Sequence, residues 1–239
     1  MWNSPPVAEW AMGDQTVVVF APHPDDDAIG CGGTLSLLAA QGARCVVVYL
    51  TDGSGSHPAS TRFNAAELAR IRAGEARRAL TTLGIEVEPI FLNATDGRLA
   101  NLMKSERMRV VERLAEILRA EKPALAFAPW RRDVHPDHVA SAGLIEDAAA
   151  RARFKQLLFY PVWQPLQGTD EDAPRKGEVT TVCVEISPWH LARKRRAIAE
   201  HRSQTGSVVD DDPNGFRIDS SMLSAWTRAS ETFFQPVQR

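Results

Sequence analysis

The strongest constraint on the fold is an alternation of short, continuous apolar runs with longer amphipathic stretches. Residues 17–20, 44–50 (RCVVVYL), 87–92 and 124–128 read as strands buried on both faces, the signature of parallel pairing. Residues 33–40, 64–83 and 105–120 read as helices between them, the second stopped by Gly84 and the third ending before Pro123. Residues 136–153 give a fourth helix. This β-α-β-α-β-α-β-α order predicts an α/β fold, with a Rossmann-like, mostly parallel sheet and helices on both faces. The last third is less regular. Residues 157–163 and 180–186 are predicted strands, Ser187-Pro188 opens a helix, and 221–234 is a predicted final helix. Neither a repeat nor a linker divides the chain, so residues 1–239 are expected to form a single domain, a length sufficient for one well-buried α/β core.

Ligands of such sheets bind beyond the carboxyl ends of the strands. The charged motifs fall there: His23-Pro24-Asp25-Asp26-Asp27 after the first strand, Asp52 after the second, Asp96 after the third, and Asp133 to His138 (DVHPDH) after the fourth. Ionisable groups packed at a strand end cost stability unless a cation or a reaction uses them. His23 and Asp26, three apart where the chain turns, can converge on one cation, and His138 offers a third ligand from the start of another helix. Two histidines and a carboxylate with one position open form a catalytic rather than a structural donor set. These N and O donors suit Zn²⁺ first, with Fe²⁺ or another divalent ion as alternatives. Asp25, between the two ligands in sequence, is placed to take a proton from a water that the metal acidifies. His135, three residues before His138, can face the same cavity as a protonated donor to a developing oxyanion. Asp133 or Asp137 would hold it in that state. The plainer reading of Asp137 is a helix cap.

The net charge of −2 gives no basic field for nucleic acid, and no apolar run approaches the roughly 20 residues of a membrane-spanning helix. The first fifteen residues lack a basic n-region and a long apolar core, so they do not read as a signal peptide. Cys31, Cys45 and Cys183 are odd in number and far apart. Cys45 and Cys183 read as buried small hydrophobes, which fits a reducing cytoplasm. The partner expected is therefore a small molecule, and a homo-oligomer is left open. Two other enzyme classes compete. A nucleotide-binding Rossmann enzyme would use Asp52 as its ribose acid, but Gly30, Gly32 and Gly33 do not have the G-x-G-x-x-G spacing. A non-haem iron oxygenase would use a His/Asp/His facial triad, usually on a jelly roll. A binding module without chemistry would not need the full Asp and His set. Packing rather than a pocket is the first reading of Trp163, Trp189 and Trp226, and Arg131 and Arg132 read equally as an anion grip or a solvated rim.

PHPDDD and the later HPDH together resemble the paired motifs of the LmbE-like, or PIG-L-type, N-acetylglucosaminyl deacetylases. The resemblance continues through Thr51-Asp52-Gly53, the helix carrying Arg72 and Glu75, Asp96-Gly97, and KRRAIAEHRSQ at 194–204, so it runs from about residue 16 to 205. It implies a zinc-dependent hydrolase that removes acetyl from an N-acetylated amino sugar. It implies His23, Asp26 and His138 as metal ligands, Asp25 as general base, His135 as the oxyanion group, and Arg72 and Asp96 near the sugar. Asp27 stands where the family most often has Glu. If that residue supports a partner of the metal, the shorter side chain requires the contact to be rebuilt. The aglycone has no readable code. Residues 54–62 and 163–177 are the expected aglycone-reading loops, and the acidic segment 208–216 is left without a role.

Overall fold

A computed structural model describes residues 14–237. The N-terminal stretch read as no leader lies outside the described residues up to position 13. Seven strands form one sheet in the order β3-β2-β1-β4-β5-β7-β6. They are β1 (Thr16–Ala21), β2 (Arg44–Thr51), β3 (Ile90–Ala94), β4 (Leu125–Pro129), β5 (Leu157–Tyr160), β6 (Val179–Glu185) and β7 (Ser230–Pro236). The first five pair in parallel, and β7 and β6 complete one edge antiparallel. The helices are α1 (Asp26–Ala40), α2 (Ala65–Leu83), α3 (Lys104–Glu121), α4 (Pro136–Ala152), α5 (Gln164–Gln167), α6 (Pro188–Glu200) and α7 (Ser220–Trp226).

Alternate residues of β1 feed two separate cores, as the period of a strand requires. Val17, Val19 and Ala21 pack with Leu35 of α1, Leu80 of α2 and Ala197 of α6. Val18 and Phe20 pack with Leu114 of α3 and Ile145 of α4 on the other face. β1 and β4 are neighbours, yet the helices that follow them lie on opposite faces. Their carboxyl ends therefore diverge into a crevice, the topological switch point of an open α/β sheet.

Several elements differ from the sequence expectation. α1 begins at Asp26, not at residue 33, so the acidic motif forms its first turn. The glycines behind that expectation are packing positions: a Cβ on Gly30 would collide with the Tyr160 ring, and one on Gly33 would sit 2.9 Å from Ile186 Cγ2. They lie inside a helix, which leaves no phosphate-cradling loop for the nucleotide-binding reading. The predicted final helix splits into α7 and β7. SETFFQP pairs along its whole length with β6 and sends Phe233 and Phe234 into opposite cores, a tertiary gain that local pattern does not reveal. Strand β5 ends at Tyr160, three residues early. Cys183 is exposed, not buried, because β6 is an edge strand with an alternating burial pattern. Arg131 and Arg132 are neither a grip nor a free rim: they pair with Glu146 and Glu178.

Candidate active site

The crevice is built from the same tripeptide used twice. His23-Pro24-Asp25 leads from β1 into α1, and His135-Pro136-Asp137 leads from the turn after β4 into α4. In the first, His23 O accepts the backbone N–H groups of Asp25 and Asp26, closing a tight turn. In the second, His135 is the N-cap, Pro136 takes the first helical position, and His135 O accepts from His138 and Val139. The two turns face each other across the switch point. The ring of His23 lies 4.8 Å from that of His135 and 5.4 Å from that of His138.

Asp26 joins the two sides. Its Oδ2 lies 3.0 Å from His23 Nδ1 and 3.2 Å from His138 Nε2. Each imidazole has a carboxylate behind it. His138 Nδ1 donates to Asp133 Oδ2 at 2.7 Å, and His23 Nε2 lies 3.1 Å from Asp96 Oδ1 and 3.5 Å from Asp137 Oδ2. Burial opposes charge on both rings, but the surrounding aspartates raise His138 to about 9 and hold His23 well above its ordinary value. Asp26, despite its burial, is held well below the carboxylate range by the same two imidazoles. His138 Nε2 is fully buried and makes no aligned hydrogen bond.

These features fit a divalent cation. The site holds protons between an anionic carboxylate and two imidazoles, and metal binding requires neutral imidazoles whose remaining N–H groups are fixed by acceptors. The donor atoms of His23, His135 and His138 lie within 4.8 Å of one another, as do those of His23, Asp96 and Asp137. Among the described residues His23 belongs to both sets and Asp26 to neither, although Asp26 Oδ2 lies against His23 Nδ1 and His138 Nε2.

Asp25 lies at the cavity, with its Oδ2 3.0 Å from Arg72 Nη2. Burial raises its pKa against the pull of Arg72. Arg72 rises from α2, donates to Gly53 O at 3.0 Å and lies 3.9 Å from Asp96. A Cβ on Gly53 would sit 2.8 Å from this guanidinium, so Thr51-Asp52-Gly53 ends in glycine to let Arg72 lie against the turn. Arg72 and Asp96 do line the cavity, but both are engaged by the acidic and imidazole groups.

The support expected for His135 is absent. The Asp133 carboxylate serves His138, and that of Asp137 accepts from Gly97 N and Leu99 N, tying the loop after β3 to the start of α4. Asp137 is therefore not a cap of its own helix. His135 Nδ1 accepts from Asp137 N, and burial together with the neighbouring imidazoles lowers its pKa to about 4. With Nδ1 taken up as an acceptor, the proton of a neutral ring sits on Nε2. Asp27 turns to Tyr49, whose hydroxyl donates to its Oδ1 at 3.0 Å. Burial raises Asp27 to about 7.

Of the residues that support the site from behind, Glu75, Lys194 and Ser203 lie in the motifs and Glu231 does not. α1 has non-helical torsions at Cys31, and Glu231 of β7 accepts from the backbone of Gly33 and Thr34 just beyond, while receiving Lys194 Nζ at 2.6 Å. Glu75 accepts from Ser203 N and Oγ, holding the segment after α6 against α2. Its position one turn after Arg72 was the available signal. A cavity of about 410 Å³ is lined by His23, Asp25, Asp26, Arg72, Asp96 and His135, and also by Trp163, Asn214 and Phe216.

The sequence model of the PIG-L family, described as GlcNAc-PI de-N-acetylase, matches residues 18–149, more than half of the chain. The diacetylchitobiose deacetylase of Thermococcus kodakarensis is 33% identical over 125 residues, covering 51% of this chain and 44% of that protein. The 1D-myo-inositol 2-acetamido-2-deoxy-alpha-D-glucopyranoside deacetylase of Corynebacterium diphtheriae is 30% identical over 168 residues, covering 62% and 56%. The chain thus spans about half the length of these curated relatives. Among solved structures, the N,N'-diacetylchitobiose deacetylase of Pyrococcus horikoshii aligns with a TM-score of 0.69 over 93% of this chain and 84% of that one, at 23% identity, which shows a shared fold.

Proposed function

This chain belongs to the PIG-L family, and from that premise we propose that it is a metal-dependent hydrolase that removes the N-acetyl group of an N-acetylglucosamine-type conjugate, with Zn²⁺ as the first candidate ion. The observation that carries the reading is Asp26 Oδ2 set against both His23 Nδ1 and His138 Nε2, with each imidazole backed by a carboxylate. His23, Asp26 and His138 would hold the cation. When bound, it supplies Lewis acidity to an acyl carbonyl and to water.

The chain's own groups supply the rest. Asp25, aimed by Arg72, takes a proton from the attacking water as the new C–O bond forms. His135 donates its Nε2 proton as a hydrogen bond to the developing oxyanion, and its Nδ1 is fixed by the N–H of Asp137. Asp25 then passes the proton to the nitrogen as the C–N bond breaks, giving acetate and a free amine. Asp133 and Asp96 keep the two imidazoles in place, Asp137 ties the loop after β3 beside them, and Asp27 acts indirectly, through Tyr49. Among the described residues no helix is long and apolar enough to cross a membrane. The three thiols are free, which supports a reducing, cytoplasmic setting.

The test is acetate release from N-acetylglucosamine derivatives by chelator-treated protein, with and without added Zn²⁺ or Fe²⁺. Release that depends on metal and is lost in Asp25→Ala supports the reading. No release from any derivative by protein carrying stoichiometric metal refutes it.

A further inference from the structure

The cavity has an aromatic wall made from segments remote in sequence. Trp163 enters from the turn after β5, Asn214 and Phe216 from segment 208–216, and Ser56 from the loop after β2. The rings of Trp163 and Phe216 meet edge to face with centroids 5.6 Å apart, and Trp226 backs Trp163 at 5.8 Å. Trp226 is itself held by its Nε1–H to Val162 O at 2.9 Å.

This wall is pinned on both sides. Asp211 accepts from Ser60 Oγ, from the backbone and hydroxyl of Thr61, and from Arg62 N. Asp212 accepts from Ala59 N, and Phe216 N donates to Ser56 O at 2.8 Å. The acidic segment is thus a clasp that fixes the loop after β2. On the other side, the backbone N–H groups of Val162, Trp163 and Gln164 donate to Asp133, the carboxylate that also holds His138. An aromatic surface fixed in this way is preorganised for a ligand.

Charge decides which ligand. The wall residues Ser56, Trp163, Asn214 and Phe216 carry no charge, and among the described residues lining the cavity the one Lys or Arg is Arg72. Its guanidinium is committed to Asp25 and Gly53 O. Arg62, behind the wall, is paired with Asp210. A carboxylate or phosphate seated on this wall would lose hydration and meet no cationic wall side chain in exchange. Two aromatic edges and faces with an amide and a hydroxyl suit an uncharged group that has an apolar face.

We infer that this wall is the subsite for the part of the substrate beyond the acetamido sugar, and that it selects neutral aglycones with an apolar face, such as a second pyranose or an aryl group, over anionic ones. The inference rests on the deacetylase reading for its chemistry but not for its binding preference. Its test uses a matched pair, the 4-nitrophenyl and 4-carboxyphenyl glycosides of N-acetylglucosamine, with N,N'-diacetylchitobiose as the sugar arm and the methyl glycoside as reference. The nitrophenyl glycoside or the disaccharide is expected to exceed both the carboxyphenyl and methyl glycosides in kcat/KM by at least about tenfold. Whichever is favoured names the source of the neutral face. Phe216→Ala should raise KM for the favoured substrate with a smaller change in kcat, and Asn214→Lys should shift preference toward the carboxyphenyl glycoside. Calorimetric titration of metal-loaded Asp25→Ala protein with the same compounds separates binding from turnover. Selective binding without acetate release by the wild type would sink the deacetylase reading and leave the wall. Equal binding of the nitro and carboxy compounds, or an unchanged KM in Phe216→Ala, overturns the wall.

Discussion

Glu231 offers the sharpest test of how the acidic turn is held. Its carboxylate receives Gly33 N and Thr34 N, each at 2.8 Å, where the torsions at Cys31 interrupt α1 and free backbone donors. The same carboxylate pairs with Lys194 Nζ at 2.6 Å, and both side chains are under 5% exposed. Glu231→Gln keeps the shape but turns an amide NH₂ toward at least one of these donors and strands a buried ammonium. Removing one partner of a buried pair costs about 3–5 kcal/mol. Lys194→Met leaves the carboxylate with its two helix N–H donors, which stabilise an anion without a counter-ion, so its cost should be smaller, about 1–3 kcal/mol. The double variant should be less destabilised than the sum of the singles by more than about 1 kcal/mol. Urea denaturation of chelator-treated protein at one pH reads all three without linkage to metal. The reasoning fails if Glu231→Gln costs under about 1 kcal/mol, or if Lys194→Met costs as much as Glu231→Gln.

His138→Ala should abolish stoichiometric metal after dialysis, and Asp133→Asn should weaken metal affinity about 10–100-fold. Unchanged affinity in Asp133→Asn, measured by competition with a chromophoric chelator, would remove its orienting role. Gly30→Ala should lower stability by about 1–3 kcal/mol, because the new methyl must displace the Tyr160 ring, whose hydroxyl donates to Phe20 O. A neutral result by thermal denaturation would show that the ring yields freely. His201 is buried with both ring nitrogens unpartnered, and burial with nearby Arg72 lowers it to about 3. Its folded pKa lies below the unfolded value of about 6.5, so the unfolded chain takes up a proton first as pH falls. Stability tied to His201 is therefore fully present above about pH 6.5 and declines toward pH 3, by up to about 1.4 kcal/mol per pH unit. His201→Leu should flatten that slope between pH 7 and 5, and an unchanged slope would refute it.

What could be read from the chain followed the range of the interaction. The strands of the parallel half and both His-Pro-Asp turns are local patterns, and the sheet order then carries them to one crevice. The start of α1 is hidden in the sequence because three glycines within four residues look like a turn. Their reason is the approach of Tyr160, Lys194 and Ile186, all distant in sequence. β7 is equally hidden, because its strand character comes from β6 and from the two cores it joins. Glu231 lies 198 residues from Gly33, so nothing near either residue marks their contact. The acidic segment 208–216 has no role legible in the sequence, and its aspartates acquire one once folding brings the 59–62 backbone to them.

The crowding of acids at the strand ends is tolerable because each carboxylate has its own partner. Asp25 precedes α1, and successive helical residues then point about 100° apart, so Asp25, Asp26 and Asp27 diverge. Asp25 meets Arg72, Asp26 meets two imidazoles, and Asp27 meets Tyr49 in the core. Across the crevice, Asp133 collects an imidazole and the N–H groups of residues 162–164, and Asp137 takes those of Gly97 and Leu99. This division also bears on the Asp found at position 27. Its carboxyl faces the Tyr49 hydroxyl rather than the imidazoles, so a methylene more or less there changes how α1 seats on β2. The pair of contacts made by Asp26, one position earlier on the helix, is what brings His23 and His138 together.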